Sequence, residues 1–162
     1  MNEHTTSQLD LTAVYAAGSP PPAILDARPQ ATPRWRAAIL KADGAFLALV
    51  GGAQMIFELL SHFRGVGPLG QIFTASHYTL GFFEAHGFAL LIGLLLIFVA
   101  SADPKRFWHT FAVCVHMLLG GANLLFWSSF VALKLVPMGV VATLFHGLFI
   151  LANLVALLRA PH

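Results

Sequence analysis

Four long apolar stretches restrict this chain more than any other feature of its sequence. They fall at about 44–63, 77–100, 107–132 and 137–158. A bilayer's hydrocarbon core, about 30 Å thick, is crossed by a helix of roughly 20 apolar residues. Inside lipid, only helices and closed barrels satisfy their own backbone hydrogen bonds. Runs of this length without period-two alternation therefore predict an all-α, integral membrane four-helix up-and-down bundle. Composition agrees, with 57% apolar and 10% charged residues. An average soluble domain has about 45–50% and about 25%, and so few charges cannot cover a water-facing surface.

The links at 101–106 and 133–136 are short, so consecutive spans are expected to run antiparallel as neighbours. Orientation follows from the basic residues. Arg28, Arg34, Arg36, Lys41, Lys105, Arg106 and Arg159 fall on one side of a four-span chain, and only Arg64 and Lys134 on the other. This distribution predicts a multi-pass protein of the cell (inner) membrane with N- and C-termini cytoplasmic. The same scatter of cations excludes the basic stripe of a nucleic-acid binder. A single cysteine, Cys114, excludes an internal disulfide and any multi-cysteine metal site.

Ahead of the spans, residues 1–32 are polar and Pro-rich, without the basic start and apolar stretch of a signal peptide. They read as a cytoplasmic tail, disordered or bound to a partner. Residues 33–42 mix Arg34, Trp35, Arg36 and Lys41 with aliphatics, a composition suited to the headgroup region. The membrane domain is then 43–160.

The two halves share a pattern. Span one contains Gly51-Gly52-Ala53-Gln54-Met55-Ile56-Phe57 and span three Gly120-Gly121-Ala122-Asn123-Leu124-Leu125-Phe126. His86-Gly87-Phe88 in span two is matched by His146-Gly147-Leu148 in span four. The order suggests a 2+2 internal duplication about an axis along the membrane normal.

Polar residues inside the spans are the candidate functional groups, because burying them in lipid is costly. Gln54, His86, Asn123 and His146 each lie about 13 Å from the outer end of their span, and form one layer. In a four-cornered bundle His86 and His146 sit on diagonal helices. Level histidines facing each other are what a b-type haem requires, with Gln54 and Asn123 beside it. His116 precedes Asn123 by seven residues and Asn153 follows His146 by seven, so each pair shares a helix face. Antiparallel spans three and four then predict His116 opposite Asn153 and Asn123 opposite His146.

A further group, Glu58, His62, His77 and Glu84, lies near the 64–76 loop and suits a divalent metal or a proton. No nucleophile elbow, P-loop or zincin motif is present. Three functions follow as expectations. The first is a non-catalytic subunit or assembly partner of a larger membrane complex, or a homo-oligomer, within the lipid bilayer. The second is electron transfer by haem b between His86 and His146. The third is proton or metal-ion handling through Glu58, His62, His77 and Glu84.

Overall fold

The computed structural model describes residues 34–102 and 104–159. The tail expected over 1–32 lies outside the described residues. Every described element is helical. Helix α1 spans Arg34–Arg64, α2 Thr79–Ala102, α3 Arg106–Leu125, α4 Trp127–Ala132 and α5 Val136–Leu158. One 3-10 turn, Gly70–Phe73, lies between α1 and α2.

Helices α1, α2, α3 and α5 are each long and apolar enough to cross a membrane. Their outer faces agree: Leu49, Phe88, Leu91, Phe98, Leu118 and Leu151 are all more than half exposed. A water-soluble monomer rarely carries apolar patches beyond a few hundred Å², whereas lipid covers such faces at no cost. This is the helical architecture of a membrane protein.

Local chemistry sets the ends. Gly65, at φ 63°, adopts the left-handed conformation that stops α1, and its N–H donates to the Ser61 carbonyl at 2.9 Å. Pro137 sits in the first turn of α5, where its missing N–H costs nothing. Between Arg34 and Arg64 there is no proline, so the segment 34–42 continues into the first span as one helix. At 31 residues α1 is about 46 Å long, well beyond the hydrocarbon core.

The closest helix pairs are α1 with α2 and α3 with α5. Glycine makes the first pair possible. A Cβ added to Gly93 would lie 2.5 Å from both the Gly44 carbonyl oxygen and the Ala48 nitrogen, so the two backbones touch there. Gly51 does the same against the His86 carbonyl, at 2.6 Å. In the second pair Gly120 faces the His146 Cβ at 3.1 Å. The two hairpins share a core of Leu40 and Leu47 from α1, Leu96 and Ala100 from α2, and Ala112 from α3.

Span three differs from its expected extent. Instead of one helix over 107–132, α3 stops at Leu125 and the chain breaks direction at Phe126 (φ −105°, ψ 30°) before the short α4. The offset lays the Phe130 ring on Gly139 of α5. It also resets the register between α3 and α5. The level partner of an α5 residue thereby moves back along α3 by about seven residues, two helical turns.

Candidate functional site

The register shift decides which polar groups meet. The expected pairs, His116 with Asn153 and Asn123 with His146, do not form; His109 takes Asn153 and His116 takes His146. His109 Nδ1 lies 2.8 Å from Asn153 Oδ1, and His116 Nδ1 lies 2.8 Å from His146 Nδ1. Asn123, two residues before the end of α3, is half-buried.

Helix α1 supplies the centre of the site. Asp43 is fully buried, one turn from Leu40 and Leu47 on the face that α1 turns to α3 and α5. Its Oδ1 lies 2.6 Å from His116 Nε2, and its Oδ2 accepts a hydrogen bond from Asn153 Nδ2 at 2.7 Å. Asn153 Nδ2 gives its second proton to the Phe149 carbonyl at 2.9 Å. The amide orientation is fixed by these partners. Two acceptors face the nitrogen, so the oxygen faces His109, which must carry its proton on Nδ1.

The result is one chain of hydrogen bonds: His109, Asn153, Asp43, His116, His146. His109, Asp43, His116 and Asn153 are each 0% exposed and His146 8%. Phe149 stacks on the His116 ring at 5.3 Å, and Phe46 meets His146 edge-on at 6.0 Å. Aromatic rings thus close the site to solvent. An ionised carboxylate placed this deep without partners would cost far more than one hydrogen bond returns. Here both its oxygens are engaged, which is the condition for retaining it.

A second, smaller contact lies toward the other end of α1. Glu58 is fully buried and its Oε1 is 2.5 Å from His86 Nδ1. Glu58 is fifteen residues from Asp43 on the same helix, about 22 Å away. His86 and His146 therefore belong to separate clusters, one paired with Glu58 and the other, at the level of Phe46, with His116. The level, facing pair read from span ends alone does not form. The reason is again register: α1 begins ten residues before the expected span and α3 ends seven before its own.

The Glu58, His62, His77 and Glu84 group is not drawn together. His77 precedes α2 in an exposed turn and Glu84 is exposed, while Glu58 is buried. His62 Nδ1 donates to the Phe73 carbonyl at 3.3 Å. Among the described residues, no three His, Cys, Asp or Glu side chains are grouped to hold a metal ion. The 64–76 loop is instead fastened by Ser61, whose hydroxyl donates to the Gly70 carbonyl and accepts from the Phe73 N–H at 3.3 Å. Gln54 reaches across to α5 and donates to Met138 Sδ at 3.5 Å.

Asp43, His109 and Arg36 have no site role in the sequence reading. Asp43 sits one residue outside the first apolar run, where a carboxylate looks like a boundary. A signal was present: Arg36 and Asp43, His109 and His116, and His146 and Asn153 are all seven apart, marking one polar face on each of three helices.

No protein-family model, curated protein or solved structure matches the chain.

Proposed function

We propose that the protein is a proton-coupled membrane protein whose working site is the Asp43–His116–His146 chain. One observation carries the reading. A fully buried Asp43 is 2.6 Å from His116 Nε2, and His116 Nδ1 is 2.8 Å from His146 Nδ1, so three titratable groups share hydrogen bonds away from water. Ionisable groups within membrane spans are rare and mark proton or ion pathways.

The proton count follows from the geometry. His116 Nε2–H donates to Asp43, and one proton occupies the link between the two Nδ1 atoms. With His116 neutral, that proton belongs to His146 and His116 accepts. A proton arriving at His146 Nε2 lets His146 pass its Nδ1 proton to His116. His116 becomes an imidazolium donating to both neighbours, and its charge balances Asp43. No hydrogen bond is lost; only the direction of one link reverses. His146, the one member with residual exposure, is the entry point.

In this reading the chain has two duplicated hairpins: in each half the first glycine of the GGA triplet faces the histidine of the next span. Both termini are cytoplasmic at the cell membrane, on the seven-to-two excess of Lys and Arg. Nitrogen-15 NMR of histidine-labelled protein in lipid tests the site from about pH 4 to about pH 9. His116 Nδ1 should change from acceptor to donor as one proton binds, and Asp43→Asn should abolish the change. If neither His116 nor His146 titrates in that range, the reading is wrong.

A further inference from the structure

The hydrogen-bonded chain ends at His109, whose Nε2 is buried without a partner among the described residues. Arg36 is in the same condition: it is 5% exposed, yet among the described residues its Nε and Nη2 have no hydrogen-bond partner. Nε–H and Nη2–H form the side-on fork of the guanidinium, two parallel donors on one edge. Leaving such a fork buried and unpaired is among the costlier arrangements a folded protein can hold.

Arg36 and His109 converge on one place. Arg36 is seven residues before Asp43 on α1, and His109 is seven before His116 on α3. Asp43 and His116 are in contact. Two spans apart in an up-and-down chain, α1 and α3 run parallel, so equal steps of nearly two turns keep the residues level. Arg36 lies within electrostatic reach of both His109 and Arg106. The start of α3 adds positive potential there, and its N-cap residue, Lys105, makes no side-chain cap hydrogen bond.

We propose that Arg36 and His109 form a binding site for an anionic phosphate group that carries one hydroxyl. Two phosphate oxygens accept from Arg36 Nε–H and Nη2–H. His109, which carries its proton on Nδ1, accepts from the phosphate hydroxyl at Nε2. The ligand is then joined through His109 and Asn153 to Asp43. Such a group is presented by a phosphate-monoester lipid headgroup or by free hydrogen phosphate. The site lies in the first turn of α1, whose length exceeds the hydrocarbon core, so it falls at headgroup depth. The inference rests on the membrane placement and not on proton coupling.

The full chain in phosphatidylcholine nanodiscs distinguishes the sources. Phosphatidic acid is titrated in and its retention read by native mass spectrometry; inorganic phosphate is added in a parallel arm and read by thermal shift. Selective retention of phosphatidic acid, weakened at least about tenfold by Arg36→Gln and less by Arg36→Lys, assigns a lipid headgroup. Protection by inorganic phosphate, with phosphatidic acid held no better than phosphatidylcholine, assigns a soluble ligand. The wild-type arms decide even where Arg36→Gln fails to fold. Neither ligand binding above phosphatidylcholine and chloride controls, or equal binding by folded Arg36→Gln, overturns the site.

Discussion

Replacing Asp43 in two ways separates the worth of its hydrogen bonds from the worth of its charge. Asp43→Ala leaves the His116 Nε2–H and one Asn153 Nδ2–H without acceptors in a site sealed from water. Each buried, unsatisfied group costs about 1–3 kcal/mol. Polar contacts inside membranes average toward the low end, because the unfolded chain in lipid also finds partners. The expected loss is therefore about 2–4 kcal/mol. Asp43→Asn keeps the shape. Its amide oxygen accepts from Asn153, and its NH₂ donates to His116 Nε2 once His116 carries its proton on Nδ1 and donates to His146. Every hydrogen bond survives and no charge remains to desolvate, so the expected cost is under about 1 kcal/mol. Unfolding by sodium dodecyl sulfate titration in mixed micelles measures both variants. An Asp43→Ala protein as stable as wild type would show that the network is not formed. An Asp43→Asn protein as unstable as Asp43→Ala would show that the tautomer argument fails.

Other outcomes follow from the packing. Gly93→Ala places a Cβ 2.5 Å from the backbone of α1 and should cost about 1–3 kcal/mol, read in the same titration; an unchanged midpoint would mean that the backbones do not touch. Glu58→Ala removes the His86 partner and should destabilise by about 1–3 kcal/mol, with Glu58→Gln recovering most of it. Cysteine placed at Gly67 in a Cys114→Ala background should react with an impermeant maleimide added to intact cells, and cysteine at Lys105 only after lysis. The reverse pattern would invert the proposed orientation.

Much of the fold was legible without coordinates. The apolar runs are local signals, and a membrane span is specified almost wholly by what lies within it. The Gly51–Gly52 pair, legible as part of a repeated pattern, lies against α2 in the structure. What remained hidden at the site was a matter of level. Asn123 and His116 appear equally able to face α5, because hydropathy does not record where a helix stops. The break at Phe126 carries no proline, and its two-turn consequence determines which histidine meets which partner.

Sequence alone determined that four helices would be apolar on their outward faces and that a few histidines, carboxamides and carboxylates would be buried among them. Lipid forces that outcome residue by residue, since each backbone must be satisfied inside its own span. Only the tertiary structure decided that Asp43, at the edge of an apolar run, is the residue on which three helices converge. Depth relative to other helices depends on helix length, break position and glycine-mediated contact all at once. These are properties of the assembled bundle, so no single segment of the chain contains them.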